Sequence, residues 1–168
     1  MFNKLIPNIF TLANLFLGFL ALIYTMEGLF QLAASLILVS VVLDGLDGKV
    51  ARKLGTTSNF GKELDSLADL VSFGVAPAIL IYAFILQPDL GIAGLFMAVL
   101  FALCGAVRLA RFNTLNITTH FLGVPITVAG GIIALVILVG SQLPGWIFAL
   151  ITLSLAFLMV SSIKLPKF

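Results

Sequence analysis

Asp44, Asp47, Asp65 and Asp69 are four carboxylates in apolar sequence, the first pair three residues apart and the second pair four. On a helix, steps of three, four and seven return to one face. Asp44, Asp47, Gly48 and Ala51 therefore form one stripe, and Gly61, Asp65 and Asp69, continuing to Ser72, form another. A short stretch joins the two, so the helices carrying them are antiparallel neighbours whose stripes can face each other at one depth. Each charge near a bilayer centre costs roughly 2.5–3.5 kcal/mol, and four cost about 10 kcal/mol or more. Packing alone does not offset that, whereas divalent metal does: two divalent cations balance four ionised aspartates. All-oxygen donors select hard ions, Mg²⁺, Mn²⁺ or Ca²⁺, over zinc, which recruits His or Cys. His120 and Cys104 are the only residues of those types, and neither is close in sequence to the aspartates. Paired metals on carboxylates are the arrangement that stabilises phosphoryl transfer.

The elements that must hold these stripes are membrane helices. The 168 residues are 61% hydrophobic and 10% charged, with a mean hydropathy of +1.24. Soluble domains carry about 25% charged residues, so composition points to an integral membrane protein. Apolar runs of about 20 residues suit helices rather than the alternating segments of a membrane barrel. Six spans are expected, over 5–26, 29–52, 62–87, 90–112, 122–141 and 145–163. They are cut at Met26-Glu27-Gly28, Gly55 to Asn59, Gln87-Pro88-Asp89, Asn113 to His120 and Ser141 to Gly145. No separate soluble domain is expected, and residues 1–168 read as one all-α membrane domain. The first span is too long, too polar at Pro7, Asn8, Thr11 and Asn14, and too poor in cleavage-site residues for a signal peptide.

Basic residues set the expected orientation. With the N-terminus in the cytoplasm, Lys4, Lys49, Arg52, Lys53, Lys62, Arg108, Arg111, Lys164 and Lys167 all fall inside. Glu27 and Asp89 fall outside, in keeping with the positive-inside rule. Tyr24, Tyr82 and Trp146 then lie near the outer ends of their spans, where amphipathic rings favour the interface. Both termini and the acidic stripes are expected to face the cytoplasm, at the plasma membrane. A net charge of +2, placed on one side, suits an anionic leaflet and gives no sign of a nucleic-acid partner. Cys104 cannot form an internal disulfide and reads as a packed thiol.

The aspartates also sit in a known frame. Asp44-x-x-Asp47-Gly48-x-x-Ala51-Arg52, eight residues, then Gly61-x-x-x-Asp65-x-x-x-Asp69 resembles the motif of the CDP-alcohol phosphotransferases, with eight specified positions across 26 residues. That resemblance implies a bundle of six transmembrane helices, a homodimer, and two divalent cations. It implies that Asp44, Asp47 and Asp65 ligate metal. Asp69 would be the general base, close to metal or also touching it. Gly48 and Ala51 would line a cytidine pocket, and Arg52 would hold the diphosphate. Taken singly, Gly48 and Ala51 suit close helix packing and Arg52 a boundary charge; taken with the four aspartates they suit a site, with Arg52 a two-toothed phosphate donor.

Softer matches resemble one branch, the membrane-embedded phosphatidylserine synthases of bacteria and archaea. They are Pro7-Asn8-Ile9-Phe10-Thr11-Leu12-Ala13-Asn14, Val71-Ser72-Phe73-Gly74-Val75-Ala76-Pro77-Ala78, Arg108-Leu109-Ala110-Arg111-Phe112-Asn113 and Phe121-Leu122-Gly123-Val124-Pro125. The resemblance implies a CDP-linked lipid as donor, with ester or ether chains, and L-serine as acceptor. Serine's carboxylate wants a guanidinium, and Arg108 or Arg111 is placed to supply it; either also works as a headgroup anchor. Thr11 and Asn14, polar in an apolar helix, must find partners, either the nucleotide, a metal-held water or a neighbouring helix. Ser72 extends the acidic stripe or is an ordinary membrane-helix hydroxyl, and His120 reads as a loop residue. Two other readings stand beside this one. The acceptor is glycerol-3-phosphate, an inositol phosphate or another alcohol, or the carboxylates line a cation path in a transporter.

Overall fold

A computed structural model describes residues 5–54, 58–115, 121–140, 142–162 and 164–165. Among these, the side chains of Asp47, Ala51 and Arg52 lie outside what is described, as does His120 altogether. Among the described residues six helical segments follow one another, and they define the architecture: α1 (Leu5–Met26), α2 (Phe30–Leu54), α3 (Asn59–Leu90), α4 (Ile92–Leu115), α5 (Ile126–Val139) and α6 (Gly145–Val160). One antiparallel pair of two-residue strands, β1 (Phe121–Leu122) with β2 (Lys164–Leu165), joins the approach to α5 to the segment after α6. Among the described residues, three helical stretches, Asn8–Met26, Asn59–Leu90 and Ile92–Thr114, are long and apolar enough to cross a membrane; Phe30–Leu46, Ile126–Val139 and Gly145–Val160 are shorter apolar stretches.

The turns follow from their residues. After α1, Gly28 takes φ +77°, Leu29 N–H donates to the Tyr24 carbonyl at 2.9 Å and Gly28 N–H to that of Thr25 at 3.1 Å. These two bonds close a helix end around a left-handed residue that glycine adopts without a Cβ clash. Helix α3 starts at Ser58, whose hydroxyl accepts from Gly61 N–H at 3.0 Å and satisfies one of the first turn's orphan donors.

Helix α3 is the centre of the bundle: 56% of its most apolar stretch is buried, against 28% for α1 and 33% for α4. It touches α1, α2, α4, α5 and α6, while α1 runs along α2, α2 along α5 and α4 along α6. Phe73, Leu80, Ile81 and Leu86 of α3 are fully buried, with Ile37, Phe101, Ile133 and Phe148 from its neighbours. Exposed rows such as Leu12, Phe16, Phe19 and Ile23 on α1 face outward.

Two stretches of α3 are wound more loosely, Leu70–Val75 and Tyr82–Leu86. In the first, Ala76 N–H reaches back five residues to Val71; in the second, Gln87 N–H reaches back five to Tyr82. Pro77 and Pro88 explain both, because each lacks an N–H and its ring crowds the carbonyl four residues earlier. The helix absorbs the defect as a π-type turn. The cut expected at Gln87-Pro88-Asp89 is thus a deformation, and the chain turns only at Gly91, with φ +54°. Asp89 instead accepts from Gly145 N–H at 3.1 Å, closing the start of α6. Helix α5 begins at Ile126 rather than 122. Pro125 precedes it in an extended conformation, and Gly123 adopts φ +72° against the carbonyls of Leu158 and Met159.

Candidate active site

Asp44 lies three turns into the polar end of an otherwise apolar α2, and Asp65 and Asp69 lie in the first turns of α3. Antiparallel packing brings them to one layer. One oxygen from each of Asp44, Asp65 and Asp69 lies within 4.8 Å of the others, with Asp69 buried and the other two half-buried. Oxygens that share a hard cation at about 2.0–2.6 Å lie at most about 4–5 Å apart, so these three carboxylates fit such an ion.

Supports arrive from other helices. The Thr127 hydroxyl, one residue into α5, donates to Asp44 Oδ2 at 3.3 Å. Asn14 Nδ2, from α1, donates to Asp69 Oδ1 at 3.5 Å. Asn14 is in turn held by two buried hydroxyls. Ser72 Oγ donates to its main-chain carbonyl at 3.0 Å. Ser40 Oγ lies 3.1 Å from that carbonyl and makes a short contact with Asn14 Oδ1. Asn14, Ser40 and Ser72 are fully buried, and mutual pairing removes the cost of three polar groups in an apolar layer.

The arginines separate. Arg108 is 9% exposed, and its buried Nε has no hydrogen-bond partner among the described residues; its charge acts on Asp69. Arg111, less than one turn further on, bonds the Val160 carbonyl at 3.2 Å and Ser162 Oγ at 3.4 Å, tying α4 to the end of α6. Asn113 Nδ2 donates to Ser66 Oγ at 3.0 Å, locking α4 to α3 beside Asp65.

Among the expected site residues, Asp44, Asp65, Asp69, Asn14, Ser72 and Arg108 are thus brought into one neighbourhood. Thr11 is buried one turn before Asn14. Gly48 faces open space, with no described atom within 4 Å of where a Cβ would be. Gly61 does not: a Cβ there would lie 3.1 Å from Ser58 Oγ and 3.3 Å from Asn8 Oδ1, so its place is in the α3 cap against α1. Asp47, Ala51 and Arg52 lie on α2 between or beyond these positions, with side chains outside those described. Sequence reasoning missed Thr127 and Ser40. Ser40 stands one turn before Asp44 on the acidic stripe, a signal that was available; Thr127 is a lone hydroxyl with no spacing to mark it.

Comparison with known proteins adds a family match and three relatives. A family model described as CDP-alcohol phosphatidyltransferase matches residues 4–160. A Helicobacter pylori protein named CDP-diacylglycerol–serine O-phosphatidyltransferase is 41% identical, over 98% of this chain and 73% of its own length. A Bacillus subtilis protein of the same name is 40% identical over 97% of this chain and 90% of its own. A Methanothermobacter thermautotrophicus protein named archaetidylserine synthase is 40% identical over 96% of this chain and 70% of its own.

Proposed function

This chain belongs to the CDP-alcohol phosphatidyltransferase family, and we propose that it moves a phosphatidyl group from CDP-diacylglycerol, or an ether-lipid analogue, to the hydroxyl of L-serine, releasing CMP. The observation that carries this is the convergence of Asp44, Asp65 and Asp69 within 4.8 Å, inside the family's motif. Relatives named for serine transfer, about 40% identical over nearly the whole chain, support serine as acceptor.

Asp44, Asp47, Asp65 and Asp69 would hold two divalent cations, Mg²⁺ or Mn²⁺ with Ca²⁺ admissible, which when bound neutralise the diphosphate and stabilise departing CMP. Asp69 takes the proton from the serine hydroxyl. The serine oxygen then bonds to the lipid-side phosphorus, and the bond from that phosphorus to the CMP oxygen breaks. Arg108, buried with Nε unpaired, holds the serine carboxylate by a charge-assisted bond. Open space at Gly48, with Ala51, receives cytidine, and Arg52 holds the diphosphate. Thr11 lies at the edge of that pocket. Arg111, engaged with α6, braces the helix that carries Arg108. The helices cross the plasma membrane six times as a homodimer with both termini in the cytoplasm. Lipid tails stay in the inner leaflet while serine and CMP exchange with the aqueous side.

Purified protein is given labelled CDP-diacylglycerol and Mg²⁺ or Mn²⁺, with L-serine, glycerol-3-phosphate or an inositol phosphate offered in turn. Serine-dependent CMP release, with a serine phospholipid formed, is expected. Release with only a phosphorylated acceptor would replace serine by that alcohol, and release with none would overturn the enzymatic reading.

A further inference from the structure

We propose that Asn14 is a positioning residue for Asp69, its amide fixed in one orientation by the hydroxyls of Ser40 and Ser72. This rests on the transfer reaction proposed above, and adds a residue that acts through Asp69.

Proton counting sets the direction. Each serine hydroxyl has one proton to give, and Asn14 presents two acceptors to the pair, its main-chain carbonyl and Oδ1. Ser72 Oγ stands 3.0 Å from the carbonyl. Ser40 Oγ is within reach of both acceptors and closer to Oδ1. With Ser72 serving the carbonyl, the Ser40 proton goes to Oδ1, and Nδ2 is left to face Asp69 Oδ1 at 3.5 Å. A reversed amide would set Oδ1 against a carboxylate oxygen, acceptor on acceptor, and leave Nδ2 against Ser40.

Each part of the device comes from a different helix, so it forms only when the bundle closes. Asn14 is on α1, Ser40 on α2 and Ser72 on α3, three residues after Asp69 and inside the first loosened turn. Gly18, one turn beyond Asn14, lets Ser72 in: a Cβ there would fall 2.8 Å from Ser72 Cα. A base must hold one carboxylate oxygen towards its proton. An N–H on Oδ1 at 3.5 Å restrains the rotation of Asp69, so that the carboxylate's remaining lone pairs keep one direction. The contact at 3.5 Å is long, so it directs the carboxylate more than it binds it.

The test uses the whole protein in detergent, with two readouts. The first is steady-state CMP release with CDP-diacylglycerol and serine. The second is the infrared carboxylate band of Asp69, located by subtracting the spectrum of Asp69→Asn. Asn14→Ala is expected to lower kcat about 10–100-fold, as small misplacements of reacting groups do, with both KM values within about 3-fold. Ser40→Ala, which deletes one oxygen and spares the fold if Asn14→Ala does not, should move the band and lower kcat. Ser40→Thr restores the hydroxyl and should recover both. An unmoved band and unchanged kcat in folded Ser40→Ala and Asn14→Ala overturn the proposal. A raised KM for CDP-diacylglycerol at unchanged kcat also overturns it, by placing Asn14 at the nucleotide. If wild type releases no CMP with any acceptor, the transfer reading fails separately, and the band alone decides whether Asn14 holds Asp69.

Discussion

The carbonyl of Phe73 lies against Gly130, close enough that a methyl group on Gly130 would sit 2.6 Å from that oxygen. Phe73 is four residues before Pro77, so its carbonyl is the one the proline leaves without an α-helical donor. Gly130 lies three residues beyond Thr127, and its neighbour Gly131 lies against Val41 of α2, so α5 packs on α3 and α2 together while Thr127 reaches Asp44 on α2. Gly130→Ala must push the helices apart, at a cost of about 1–3 kcal/mol for an overpacked contact. Thermal unfolding in detergent should show a lower Tm, and CMP release should fall with it. An unchanged Tm would mean that α5 yields without strain.

Asp69→Asn keeps the size and burial of the side chain and removes the base. Transfer to serine should drop by about 10²–10⁴-fold, the usual worth of general-base catalysis, while CDP-lipid binding, followed by titration calorimetry, stays measurable. Near-normal turnover would remove Asp69 from the base role. Asp44→Asn and Asp65→Asn should instead weaken Mn²⁺ binding, followed by electron paramagnetic resonance.

Chelation gives a third expectation. Excess EDTA should abolish transfer, and Mg²⁺ or Mn²⁺ should restore it, because the three clustered donors are all carboxylate oxygens. Activity that survives chelation would contradict a metal role for the cluster.

Arg108→Gln removes a buried guanidinium whose Nε has no partner among the described residues. A charge-assisted bond to serine's carboxylate contributes about 1.5–3 kcal/mol, so the KM for serine should rise roughly 10–100-fold. The KM for the CDP-lipid should stay within about 3-fold. Equal rises in both would place Arg108 with the diphosphate instead.

Far from the acidic layer, Asp89 caps the first N–H of α6. Asp89→Ala should cost about 0.5–2 kcal/mol of stability, seen as a lower Tm, with kcat and both KM values unchanged. A change in kcat would mean that the two ends of the bundle are coupled.

Much of this was legible in the residues. Long apolar runs marked α1 and α2 to within a residue or two, because a run of that length has few other structures in lipid. Spacing alone put Asp44, Asp65 and Asp69 on facing stripes, and the fold brings them together. The loosened turns of α3 were not legible, since Pro88 in a sequence reads as a stop, whereas the helix takes up the missing N–H in a π-type turn and runs on to Leu90. Arg108 and Arg111 look alike in sequence; their separation is tertiary, set by which one the end of α6 intercepts. Thr127 carried no pattern because its partner is 83 residues away.

All four motif aspartates lie on one helical hairpin, α2 with α3, yet the groups that brace Asp44 and Asp69 arrive from α5 and α1. A minimal peptide spanning that hairpin, or the hairpin grafted into a foreign scaffold, would therefore copy the recognisable signature without its scaffolding. Such a transplant would display the acids in loose rotamers, and bioengineers seeking a portable lipid-headgroup catalyst would have to carry the first and fifth helices along with it.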